Sequence, residues 1–279
     1  MRTRSTLLAA TAALLLTSLL TACGGSTGFL PVITAVKPQS LSYGRTATIY
    51  LGGKDLRSSL VVESNGGCTN PSFDTNSTTD TLVLNCLVTV VGDLPLTIKS
   101  ATGEVIYTTT LSVSKPQVSI ITNKGSFTME LDLSAAPTTV KNFLSYVKSG
   151  YYSNTLFHRV IPGFVAQAGG YTTGLVRKPG QLNAIELESN KGLSNARATV
   201  AMARTNVFNS ATSEFYVNLI DNTFLDYKNA ANPGYAVFGK VVQGMDVVDA
   251  IAAVPTGVFN GSTDVPLSDI TISIAIQSK

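Results

Sequence analysis

The chain has 279 residues, 44% of them hydrophobic and 13% charged, with a formal net charge of +3, one histidine and three cysteines. So few histidines and cysteines give little support to a zinc site, which needs several such ligands, or to Ser or Cys hydrolysis, which needs a nucleophile, a base and an orienting group. Lys and Arg neither cluster nor interleave with aromatics, so nucleic acid is not an expected partner, and no metal or organic cofactor is implied.

The N-terminus reads as an address. Arg2 and Arg4 precede an apolar run from Leu7 to Leu20, short for a membrane span and the right length for a signal-peptide core. It ends in Leu20-Thr21-Ala22-Cys23, which resembles the lipobox of bacterial lipoproteins. That resemblance implies cleavage of residues 1–22, a lipid anchor on Cys23 and a flexible tether over 24–28. An ordinary secretory signal with an incidental cysteine is the alternative. Loss of Arg2 and Arg4 without any acid leaves a nearly balanced chain, so membrane attachment would come from lipid rather than a basic face. The implied location is the bacterial cell envelope; Gly24 after the cysteine points to the periplasmic face of an outer membrane, if the cell has one.

Residues 29–114 carry a period-two pattern with short-range turns, the pattern of a β-sandwich. Ala47, Ile49 and Leu51 share a face; so do Leu82, Leu84, Cys86, Val88 and Val90, and then Leu94, Leu96 and Ile98. With Cys23 lipidated, Cys68 and Cys86 remain as an even pair in a compartment that permits disulfides, so a bridge between them is expected, with two unpaired thiols as the alternative. The opening from Pro31 to Ile49 is similar to immunoglobulin-like domains of the IPT/TIG type, which implies a spacer or binding module.

Ser114-Lys115-Pro116 interrupts the strand pattern, and a second domain is expected over 117–279. Val118 and Ile120, the turn Asn123-Lys124-Gly125, and Phe127, Met129, Leu131 and Leu133 read as a hairpin. Pro137 opens a helix whose face carries Val140, Phe143, Leu144 and Val147, and Gly150 ends it. A second helix is expected over Met245–Ala253, presenting Val247, Val248 and Ile251. Ile270, Ile272, Ile274 and Ile276 alternate with polar residues, as in a closing strand.

Within this region, Phe157-His158-Arg159-Val160-Ile161-Pro162-Gly163-Phe164-Val165-Ala166-Gln167-Ala168-Gly169-Gly170 mixes buried-type residues with fixed donors and offers no obvious nucleophile. Such a site suits a reaction that needs shape and one placed donor, and rotation about an X–Pro bond is one. Its barrier, about 18–20 kcal/mol, comes from amide resonance. This stretch, with Ala201-Met202-Ala203-Arg204, the run Asn209–Val217 and the run Gly234–Val242, resembles the cyclophilins, the peptidyl-prolyl cis-trans isomerases.

The resemblance implies a mainly β chain: an immunoglobulin-like sandwich, then a cyclophilin-like eight-stranded antiparallel barrel capped by two α-helices. It implies Arg159 as the catalytic donor to the prolyl nitrogen. Phe164, Val165, Tyr216 and Leu225 would line the proline pocket, Gln167 and the Ala203 backbone would hold the peptide with Arg204 beside it, and Phe224 and Tyr235 would form the rim. His158 is expected to play a structural, hydrogen-bonding part. Several residues depart from the family pattern: Val165 stands for Met, Tyr216 for Phe, Phe224 for the Trp of many eukaryotic members, and Glu214 for Gln. The Phe224 change implies weak cyclosporin binding. Glu214, counted with the substrate-binding set, would either pair with Arg159 or compete with substrate for its donors. The expected partners are proline-containing polypeptides exported from the cell, and the expected activity is isomerisation of their X–Pro bonds. The rival is a catalytically weak binding or chaperone module on the same fold.

Overall fold

The computed structural model describes residues 30–56 and 59–279. The signal-like segment, Cys23 and the tether lie outside the described residues.

Seven strands come first: β1 (Val32–Ser40), β2 (Thr46–Lys54), β3 (Val61–Glu63), β4 (Cys68–Phe73), β5 (Thr81–Val88), β6 (Gly92–Lys99) and β7 (Val105–Val113). They form a four-stranded sheet in the order β1-β2-β5-β4 and a three-stranded sheet in the order β3-β6-β7. The alternating residues named above supply a shared core: Ile49, Leu51, Leu84, Leu94 and Ile98 are fully buried in one cluster. Cys68 and Cys86, on adjacent strands, are joined by a disulfide with Cα atoms 5.4 Å apart. Closing a loop of this size contributes about 3 kcal/mol in the chain-entropy account.

The second part runs β8 (Gln117–Thr122), β9 (Gly125–Leu131), α1 (Pro137–Lys148), β10 (Thr155–Ile161), β11 (Val165–Ala168), β12 (Tyr171–Thr172), β13 (Val176–Arg177), β14 (Thr199–Met202), β15 (Phe215–Asn218), β16 (Val237–Gln243), α2 (Met245–Ala252), β17 (Thr256–Phe259), β18 (Ser262–Pro266) and β19 (Thr271–Gln277). Eight strands close into an antiparallel barrel in the order β10-β11-β15-β14-β16-β9-β8-β19. Its interior is apolar and rich in aromatics, and Val140, Phe143 and Tyr146 of α1 and Val248 and Ile251 of α2 belong to the same core. Tyr146, absent from the helical face read in the sequence, is as buried as Phe143.

α1 has no local N-cap: Ala136 stands in that position with no side-chain hydrogen bond. Its orphan N–H groups are met from a distance by Glu188, whose carboxylate accepts from Thr138 N at 3.1 Å and from Thr139 N and Oγ1, both at 2.8 Å. Glu188→Ala is therefore expected to cost about 1 kcal/mol, the ordinary worth of a cap, readable by urea denaturation.

The closing strand corrects one expectation. Ile272 is buried, but the pairing of β19 with β8 slips between Ile272 and Ile274, and this bulge reverses the alternation. Ala275 then faces inward, while Ile274 and Ile276 are 38% and 44% exposed.

Candidate active site

The site lies on the outer face of the barrel, and another bulge creates it. Along β10, Phe157 pairs with Ala168 and Arg159 with Gln167, so two steps on one strand answer one step on the other. Phe157 and Val160 both point into the core, which leaves His158 and Arg159, between them, both facing away from it. A regular strand would bury one of the pair. On β11 and β15 the ordinary alternation holds: Ala166, Ala168, Phe215 and Val217 fill the barrel, while Val165, Gln167 and Tyr216 face the site.

A cavity of about 320 Å³ results, lined by Arg159, Phe164, Val165, Gln167, Ala203, Arg204, Tyr216, Leu225 and Tyr235. That is within the size range of small-ligand sites. Nine of the eleven residues expected at the site are thus brought together. Phe224, on the turn Thr223–Leu225, is outside the lining: it is 61% exposed and stacks on Phe164 with ring centroids 5.8 Å apart. Gly234 brings Tyr235 against that turn. It has φ +63°, and a Cβ there would fall 2.4 Å from the Leu225 carbonyl, to which Tyr235 N–H donates at 2.9 Å.

Glu214 is also outside the lining, and the expected direct pair with Arg159 is absent. Its Oε2 accepts from Gln167 Nε2 at 2.8 Å and lies 3.3 Å from His158 Nε2. No ion pair joins it to Arg159 among the described residues. It reaches Arg159 only through Gln167, whose Oε1 accepts from Arg159 Nη1 at 3.4 Å. Burial raises the Glu214 carboxyl, but the His158 and Gln167 hydrogen bonds and the charges of His158 and Arg177 outweigh it and hold it below the ordinary glutamate range.

Arg204 is fixed by its own surroundings. Nε donates to Gly234 O at 3.0 Å and Nη1 to Thr205 O at 2.9 Å, with the guanidinium 4.5 Å from the Tyr235 ring centroid. The Ala203 N–H is spent on Glu214 O at 2.9 Å, so only its carbonyl can serve a peptide.

Three buried asparagines, which the sequence reading did not single out, support the pocket from behind. Tyr216 Oη donates to Asn195 Oδ1 at 2.8 Å, Asn218 Nδ2 donates to Thr199 Oγ1 at 2.9 Å, and Asn222 Nδ2 donates to Asn218 Oδ1 and to Phe164 O, both at 2.9 Å. The Tyr216 hydroxyl therefore points into this network while its ring faces the cavity. Burial, with the nearby Tyr235 and Asp226, pushes that hydroxyl far above its usual range, so it stays a neutral donor. The only sequence signal was the placement of Asn218 between Val217 and Leu219. Buried polar groups of that kind need partners.

A closed eight-stranded barrel with two helices packed against its core, carrying an arginine in a pocket on its outer face, defines a cyclophilin-like class. The comparisons agree. The family model described as cyclophilin type peptidyl-prolyl cis-trans isomerase/CLD matches residues 117–276, and the chain belongs to that family. It is 45% identical to a peptidyl-prolyl cis-trans isomerase of Acinetobacter baylyi over 60% of this chain and 88% of the relative. It is 46% identical to peptidyl-prolyl cis-trans isomerase B of Escherichia coli over 58% of this chain and 99% of the relative. A crystal structure of a Cryptosporidium parvum cyclophilin type peptidyl-prolyl cis-trans isomerase, in the presence of the dipeptide Ala-Pro, superposes with a TM-score of 0.50 at 29% identity, covering 58% of this chain and 99% of that one.

Proposed function

We propose that the cavity around Arg159 isomerises X–Pro bonds in proline-containing polypeptides. The observation that carries this reading is the meeting of the Arg159 guanidinium with Phe164, Val165, Tyr216 and Leu225 in a single cavity. The presence of Ala-Pro with the Cryptosporidium relative supports a ligand of that chemistry. In the planar amide the nitrogen lone pair is delocalised and a poor acceptor. As the C–N bond twists, the lone pair localises, and an Arg159 N–H can then donate to it. That hydrogen bond exists only near the transition state, the condition under which binding energy lowers a barrier. The pocket would hold the pyrrolidine ring while the preceding carbonyl turns, with Gln167, the Ala203 carbonyl and Arg204 along the peptide. No proton is transferred.

The clients are exported proteins, with the chain held at the bacterial cell envelope by lipid on Cys23. Residues 29–114 form an immunoglobulin-like spacer or binding domain and residues 117–279 the isomerase domain. The signal grammar, the two-sheet arrangement and the disulfide support this division. Cyclosporin binds weakly because Phe224 lacks an indole N–H, and Phe224→Trp is expected to raise its affinity roughly tenfold, measured by calorimetry.

The reading is tested by exchange spectroscopy on an Ala-Pro peptide with the purified chain. Accelerated cis–trans exchange supports it. Binding without acceleration would reduce the cavity to a binding site.

A further inference from the structure

Gln167 lies between two groups with opposite hydrogen-bonding needs. Arg159 carries only donors and meets the Gln167 carbonyl oxygen at 3.4 Å; the Glu214 carboxylate carries only acceptors and receives the Gln167 N–H at 2.8 Å. A carboxamide keeps its shape after a half turn about its last bond, but its chemistry reverses. Flipped, Gln167 would aim an N–H at the guanidinium and an oxygen at the carboxylate, exchanging two hydrogen bonds for two like-pole contacts. Glutamine at position 214 would remove half of that discrimination, since it could offer either its oxygen or its amide N–H.

Two neighbours hold Glu214 in register. The same Oε2 lies 3.3 Å from His158 Nε2, so a proton on that nitrogen is aimed at the carboxylate. Gly170 makes room. A Cβ there would fall 2.5 Å from Glu214 Oε1 and 2.6 Å from its Cγ, so the carboxylate occupies the space a side chain would take.

We infer that Glu214 is a positioning residue for isomerisation: its carboxylate locks the Gln167 amide with the carbonyl toward Arg159, and so fixes the guanidinium against the pocket. The inference rests on the isomerase reading above and gives a role to the one charged departure from the family pattern. The charged and titratable groups around Glu214 are His158 and, beyond Gln167, Arg159 from β10, Arg177 from β13, and Tyr171 from β12, whose ring centroid is 4.6 Å from that of His158. With its carboxyl held low, Glu214 stays an acceptor through neutral and mildly acid pH and loses the lock only as pH falls below the ordinary glutamate value of 4.5.

The test measures kcat/KM for an Ala-Pro peptide against pH in the full chain, in Glu214→Gln and in Gly170→Ala, with the melting temperature at each pH as the folding control. At neutral pH both variants are expected to lose roughly three- to tenfold, the worth of one hydrogen bond. The natural chain should lose a similar factor below pH 4.5, while Glu214→Gln stays flat. A Glu214→Gln chain as fast as the natural one, or one that keeps the acid fall, overturns the inference. The Gln167 side-chain amide signals give a second readout that needs no activity. One sharp pair that shifts and broadens in Glu214→Gln upholds the lock, and an unchanged pair overturns it. A natural chain with no isomerase activity but with that amide behaviour would remove the isomerase reading alone.

Discussion

Arg159→Ala is expected to lower kcat/KM for a short X–Pro peptide by about 10²- to 10³-fold, the usual loss when one preorganised donor to a transition state is removed. The effect should fall on kcat, because Val165, Tyr216 and Leu225 pack in an apolar cluster of their own and Phe164, beneath the guanidinium, also stacks on Phe224. Peptide affinity should change little. Arg159→Lys should not restore the rate: a lysine offers a point charge on a flexible stem and cannot both donate to Gln167 Oε1 and present a second, fixed N–H to the substrate. Exchange spectroscopy for the rate and calorimetry for the affinity separate the two quantities.

Phe143→Ala carries the largest expected effect on stability. The ring sits on α1, fully buried, with its centroid 5.1 Å from that of Tyr152, 5.5 Å from Phe215 and 5.1 Å from Phe238. Those three partners come from three separate segments, so the hole left by truncation has rigid walls and cannot collapse around the missing ring. A cost of about 3–5 kcal/mol follows from lost burial plus the cavity. For a folding unit of this size that is a fall on the order of 10 °C in Tm. Calorimetry checks it, and a loss below about 1 kcal/mol would show that the core relaxes around the gap.

The strands and helices of the chain were legible because their signal is periodic. Leu82, Leu84, Cys86 and Val88 alternate, and Val140, Phe143 and Val147 recur at helical spacing; burial followed both patterns. The periodic argument failed at bulges, because an extra residue shifts the phase without changing composition. Ile274 and Ile276 turned outward for that reason. The same device sets His158 and Arg159 side by side, and there the motif was recognisable although its geometry was not. Contacts between distant segments left no local trace. Glu188 caps a helix about fifty residues earlier in the chain, and Asn195 braces Tyr216 from a loop. Glu214 was legible as a departure, but its partner was not: the sequence put a carboxylate near an arginine, and the fold interposed Gln167 between them.

The most direct test of the account is the rate of cis–trans exchange of one Ala-Pro peptide, measured side by side with the natural chain and Arg159→Ala at equal peptide saturation. Rapid exchange by the natural chain, with most of it lost in the variant, is the predicted result. Equal rates from the two chains would contradict it and leave the cavity as a peptide-binding site without catalysis.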